Sequence, residues 1–556
     1  MRKNIFQTVP SINVPRSSYR FRPTLSTTFS EGDLIPVYCK EVYPGDSWNM
    51  NLGSFARILS PLSTPILSDL ILDIHFFYVP ERLVWENFEK QQGEQENPGD
   101  PTDYQDPWLF PGYDDDGVTA LKNMTFEQNS IYDYFGLPTK IQFGDQDSNS
   151  GEVVVKIRSA PMRAYNLIWN QWYRDQDLQD SVWFKKDDGP DDYRNFKILK
   201  RNKKHDYFTS ARPWPQKGPG VEIPLGTAAP VVGNGMTLGF SADGVNAGLS
   251  TGGDGNTRSV ISPGVYGLDA GTQVINSAFG SAWTGIGVTE DPDKSGLIAR
   301  LDLADVATIN TLRQAFAIQR IFERDSIGGT RYREILRAHW SVVSPDARLQ
   351  VAEYLGGTSQ KFIVNPVVQQ SASDEVTPQG NLAAFAVTGA SNHVFTKSFV
   401  ESGWILGIAS VRVPLMYQQG IERMWTRRTR FDKYMPALAH LGEQAILNQE
   451  IFASSDKEQN EGVFGYQERW SDLRYQESKV SGAFRSNYDG SLDFWHLAQN
   501  FENLPGLNSE FIEENAPMNR VVAVTTEPDF MLNLSFDIFC ARIMPAYSTP
   551  GIGGHL

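Results

Sequence analysis

FMLNLSFDIFC, residues 530–540, alternates Phe530, Leu532, Leu534, Phe536, Ile538 and Cys540 with Asn533, Ser535 and Asp537. A period of two puts successive side chains on opposite faces of an extended chain, so this run predicts a half-buried β-strand. A second such run lies near the other end. Leu70, Leu72, Ile74, Phe76 and Tyr78 face one way there, and Asp73 and His75 the other. Further strands are predicted at 34–43, 47–58, 153–157, 361–364, 404–413 and 520–524. Their spacing far exceeds that of hairpins, so the economical reading is one antiparallel sandwich whose ends pair in space. Long segments are then inserted between its strands.

Helices are expected inside those insertions. Ser159 precedes Pro161 at a helix start that aligns Met162, Tyr165, Trp169 and Trp172 on one side. A second helix is predicted over about 306–324, with Ile309, Leu312, Phe316 and Phe322 inward and Gly328-Gly329 as the stop. A third, short one follows Pro80. Residues 218–300 differ in kind, being rich in Gly, Ala, Ser and Thr, with Arg258 the sole basic residue between Lys217 and Lys294. Phe240, Tyr266 and Trp283 make that segment too apolar for a flexible linker, so it reads as a β-rich surface insertion. It separates an N-terminal part, 1–217, from a C-terminal part, 301–556. A second excursion, 91–117, is acidic, proline-broken and expected to be exposed.

The chain has 556 residues and a net charge of −16, with 32 Phe, 21 Tyr, 13 Trp, 47 Gly and 32 Pro, a β-rich composition. So acidic a chain does not bind nucleic acid by overall charge, because such affinity rests on neutralising phosphates. Local basic patches are still compatible with it. Cys39 and Cys540 cannot form a disulfide framework and read as reduced core thiols. The N-terminal stretch shows no apolar signal core, and no apolar run approaches the length of a membrane span.

Catalytic and cofactor motifs are absent, and no catalytic residue is expected. Seven scattered histidines offer no zinc cluster, and no phosphate-binding loop or nucleophile elbow is present. Asp145, Asp147 and Asn149 open like a calcium loop, but Lys156 occupies the place of its closing glutamate. No metal or cofactor is expected. Two basic stretches stand out. Lys200, Arg201, Lys203 and Lys204 precede Tyr207, Phe208, Arg212 and Trp214. Arg423, Arg427, Arg428 and Arg430 surround Trp425 and Phe431. Cations interleaved with rings suit single-stranded nucleic acid, where charges follow phosphates and rings stack on bases. The same residues also suit contacts between acidic subunits. Arg2, Lys3, Arg16, Arg20 and Arg22 form a weaker third group.

Many segments resemble the major capsid proteins of gokushoviruses, within the Microviridae. They include GDLIPV at 32–37, EVYPGD at 41–46, FFYVPERLVW at 76–85 and HDYFTSARPWPQKG at 205–218. GGTRY at 328–332, EYLGG at 353–357, HLGEQ at 440–444 and FGYQER at 464–469 continue the series in order. The resemblance implies a viral eight-stranded antiparallel jelly roll, mainly β, with long insertions containing short helices. It implies about sixty copies in an icosahedral shell around a single-stranded DNA phage genome. A small basic DNA-binding virion protein is implied as partner, consistent with the acidic charge. The insertion at 218–300, with Phe240, Tyr266 and Trp283, is the candidate for meeting a host surface receptor. The expected place is the virion, assembled in the bacterial cytoplasm without membrane insertion. The alternative reading is a secreted β-sandwich that binds or degrades glycans, resting on Trp and Asp content alone.

Overall fold

A computed structural model describes residues 15–113, 121, 123–143, 153–221, 309–370 and 380–547, and the backbone of short strands between 231 and 299. The chain divides into two units, 1–217 with 324–556, and 218–323.

The first unit is a sandwich. Its strands are β1 (Arg16–Phe21), β2 (Thr24–Phe29), β3 (Asp33–Val42), β4 (Ser47–Ile58) and β5 (Ile71–Pro80). They continue as β6 (Glu353–Lys361), β7 (Ile363–Val368), β8 (Leu382–Ser398), β9 (Gly403–Arg412) and β10 (Phe530–Ile543). The first sheet runs β1–β10–β4–β8–β7, with β2 also on β10, and the second runs β6–β5–β9–β3. Taking β1/β2 as one broken strand and β7 as an edge addition leaves eight. Their orders are first–eighth–third–sixth and second–seventh–fourth–fifth. That interleaving is the double Greek key of a jelly roll. All the pairings are antiparallel, and Phe530–Ala541 of β10 matches Ile58–Ser47 of β4 residue for residue. The terminal strands therefore do meet, as their sequence patterns predict.

The core follows from the alternation. Met50, Leu52 and Ala56 of β4 and Leu532, Leu534, Phe536 and Ile538 of β10 point inward onto Leu72, Ile74 and Phe76 of β5. β9 is buried along nearly its whole length, because both of its faces are covered. Ile405, Ala409 and Val411 face the sandwich core. Trp404, Leu406 and Ile408 face a second core, built by the segment between β5 and β6. Helix α1 (Ala160–Ile168) lies in that segment and buries Met162 and Tyr165 as its spacing predicts, and Trp169 is buried in the π-helical turn that continues it. Gly45, at a φ of +86°, makes the turn between β3 and β4, a conformation that side chains other than glycine resist.

Four expectations are corrected. Residues 153–157 form no strand; Val153 makes a lone bridge and Val154 is exposed, and no strand among the described residues pairs with them. Residues 520–524 likewise form a short 3-10 turn at Met518–Arg520 and isolated bonds, although Val521 and Val522 are buried. The helix predicted over 306–324 runs instead as α2 (Ile309–Gly328). Ile309 is 70% and Phe316 59% exposed on it, whereas Leu312 and Phe322 are half-buried, so only part of its apolar stripe turns inward. Ser159 stands at the start of α1, yet its hydroxyl bonds the Asp191 carboxylate instead of capping the helix.

The second unit contains a five-stranded antiparallel sheet, with Gly239–Ala242 between Val245–Thr251 and Gly287–Val288. Phe240 belongs to it, opposite Ala247 and Val288. Tyr266 and Trp283 lie outside the described residues.

Candidate assembly and nucleic-acid surfaces

The two outer faces of the sandwich differ. The second sheet is covered by the segment that carries α1. The outer face of the first sheet is not covered by any other segment among the described residues. Strand alternation turns Asn49, Asn51, Phe55 and Arg57 of β4 outward, together with Asn533, Ser535, Asp537 and Phe539 of β10. Phe385 of β8 projects from the same face, and Phe55, Phe385 and Phe539 are each about half exposed. Arg20 and Arg22 reach over from β1 and its turn to Asp537, at 2.6 Å and 3.3 Å. Those two guanidiniums hold the Asp537 carboxyl down to about 2, chiefly through the Arg20 hydrogen bonds. Arg16 and Arg57 are exposed as well. In an acidic protein this face carries four arginines against one carboxylate, among the described outward positions of these strands.

The first basic stretch behaves differently from a loose cationic loop. Arg201 is buried, with its guanidinium 2.8 Å from Asp73 and 2.6 Å from Ser410 Oγ. Arg412 holds the same Asp73 at 2.9 Å. Lys203 is buried too, and its Nζ donates to the Phe511 carbonyl at 2.7 Å. Lys200 pairs with Asp33 at 2.9 Å. Lys204 is exposed. Arg201, Lys203, Lys204 and Arg412 border a cleft of about 550 Å³ that His75, Trp172, Tyr173 and Tyr354 also line. His75 donates to or accepts from Tyr173 Oη at 2.9 Å. Burial, with Arg201 nearby, pushes its pKa down to about 4, so it is neutral at pH 7.

Behind that cleft lie Glu31 and Glu514, neighbours in space and both near Lys203. Burial pushes each carboxyl up to about 7 from an ordinary value of 4.5. A carboxyl whose folded pKa is raised binds its proton more tightly when folded, so it stabilises most below about 4.5 and loses that contribution as pH rises through about 7. Melting temperature is therefore expected to fall between about pH 5 and pH 8, with a shallower fall in Glu514→Gln. An equal slope in the variant would contradict this assignment.

The second basic stretch lies between β9 and β10. Arg423 pairs with Glu450 at 2.8 Å, and Arg427 with Asp472. Arg428 and Arg430 are exposed and make no ion pair among the described residues. Trp425 and Phe431 are 73% and 66% exposed. Sequence reasoning found this stretch but missed the open sheet face. The alternation of 530–540 shows that Asn533 and Ser535 point away from the core, but not that no other segment covers them.

No helix among the described residues is long and apolar enough to cross a membrane. None of the described His, Cys, Asp and Glu residues group as metal ligands would.

A jelly roll with this strand order and long insertions between its strands is an architecture that viral shell subunits use. The comparisons agree. The chain belongs to the phage capsid protein (F protein) family, whose model matches residues 7–552. It is 42% identical to the capsid protein VP1 of Bdellovibrio phage phiMH2K, covering 99% of this chain and 98% of that one. Capsid protein VP1 of Chlamydia phage 1 is 38% identical, over 99% and 98% of the two chains. That of Spiroplasma virus 4 is 34% identical, over 97% and 96%. These relatives are gokushoviruses, and the resemblance read from the sequence is thereby established. The chain is a structural protein of the virion that assembles into a shell.

Proposed function

We propose that about sixty copies of this capsid protein close an icosahedral shell around a single-stranded DNA phage genome, with the open face of the first sheet lining the interior. The observation that carries this reading is that face: four arginines, one carboxylate and three half-exposed phenylalanines among Asn and Ser side chains. Flat sheets with exposed rings stack unpaired bases, and arginines beside them follow the phosphates. The net charge of −16 supports a separate small basic virion protein as the main source of neutralisation. Lys204 at the cleft edge is a further candidate for phosphate contact, whereas Arg201 and Lys203 have their partners inside the subunit. The insertion at 218–300 is the surface we assign to a host receptor, on the family resemblance. Assembly in the bacterial cytoplasm fits the two free cysteines.

Particles from producing cells, sedimented and imaged with a nuclease-protection assay alongside, test the reading. Uniform shells holding protected single-stranded DNA are expected, and a stable monomer without particles would overturn it. Replacing both Phe55 and Phe539 by Ser is expected to leave shell yield unchanged but release DNA at lower salt. Each lost stacking contact is worth about 1–3 kcal/mol per base. Unchanged DNA retention across a salt series would remove this face from the genome contact.

A further inference from the structure

We infer that the segment 421–441, between β9 and β10, docks on the acidic loop 91–106 of a second copy of the chain. The inference rests on the shell reading and adds which surfaces meet.

The segment is held from behind and bare in front. Arg423 is tied to Glu450, and Arg427 to Asp472 with its guanidinium also 5.9 Å from the Trp470 ring. Tyr434 meets Trp470 edge-on at 5.5 Å, and Trp470 Nε1 donates to the Leu438 carbonyl at 3.0 Å. Thr429 and Asp432 close a capping box within the segment. Little ordering entropy therefore remains to be lost when it binds. Projecting from this base are Met424, Trp425 and Phe431, with Arg428, Arg430 and Lys433 around them. An exposed tryptophan flanked by arginines is the composition of an interface hot spot, and exposure on this scale is uncommon on surfaces that stay in water.

Charge selects the partner surface. From Lys90 to Lys122 the chain has no basic residue, and Glu94, Glu96 and Asp103 are exposed on that loop. The loop is also held in shape, with Gln91 Nε2 on the Tyr104 carbonyl and on Asp106 at 3.0 Å each. Three exposed cations around apolar anchors thus have a preformed counterpart of opposite sign on every other copy. DNA is the competing occupant of a cationic, aromatic surface, but it would leave the exposed carboxylates of 91–106 unmatched.

The test is made on particles recovered from producing cells. Trp425→Ser is expected to lower shell yield roughly tenfold or more while the soluble subunit melts at the parent temperature. Arg428→Glu with Arg430→Glu is expected to do the same. Adding Glu94→Arg and Glu96→Arg to that chain is expected to restore shells. Normal shell yield from either arm variant would overturn the inference, as would a loss that the loop reversal does not repair. Normal yields of shells lacking DNA would assign the segment to the genome instead. Failure of the unaltered chain to form shells would overturn the shell reading itself, an outcome distinguishable from all of these.

Discussion

Replacing Arg163 by Met is expected to destabilise the subunit by roughly 3–5 kcal/mol, the cost of stripping one partner from a buried ion pair. Arg163 lies in α1 and is fully buried. Its guanidinium meets both Asp191 oxygens at 2.6 Å, and donates to the Val84 carbonyl at 3.1 Å and the Asp187 carbonyl at 2.7 Å. One side chain thus fastens the helix to the chain leaving β5 and to the segment beyond Lys186. The methionine leaves Asp191, itself buried, with a charge that only Ser159 and a few dipoles can satisfy. Adding Asp191→Leu is expected to recover much of the loss, because removing both charges is cheaper than stranding one. Urea unfolding of the soluble subunit measures both. A loss below about 1 kcal/mol for the single variant would show that the pair is dispensable.

Asp73→Asn is expected to be nearly as damaging, by about 3 kcal/mol, and for a related reason. Burial alone would raise the Asp73 carboxyl, but Arg201, then a hydrogen bond from Ser359 and then Arg412 together outweigh it and hold it below its ordinary value. The asparagine leaves two guanidiniums facing each other, that of Arg201 almost without solvent. A depressed carboxyl stabilises above its unfolded pKa and loses that contribution as pH falls through the folded one. The parent is thus expected to lose this contribution only in strong acid, and the variant to lack it at every pH. The same unfolding assay, at neutral pH, decides. An unchanged midpoint would mean that the two arginines are adequately solvated without Asp73.

Both residues show where sequence reading stops. The strands at 47–58 and 530–540 are legible because one buried face imposes strict alternation, and their partners follow from the antiparallel order. The helix at Ala160 is legible from its aromatic spacing. By contrast, residues 200–204 look in sequence like a cationic loop, and nothing local shows that Asp73 waits more than a hundred residues away to bury Arg201. The pattern that ends at Ile157 reads as a strand only until its missing neighbours are known. On α2 the stripe containing Ile309 and Phe316 is genuine, but periodicity shows only that apolar side chains align. It does not show whether they meet their own chain or another. In a shell subunit, surfaces that wait for neighbours carry the same pattern as a core, so they are the hardest to separate from it.

The most direct test of the central claim is an image reconstruction of particles purified from producing cells. The expected result is a closed shell of this chain whose inner wall is the first sheet, with Phe55, Phe385 and Phe539 turned toward the nucleic acid. A shell with that sheet face on its outside, or with those rings sealed between subunits, would contradict it.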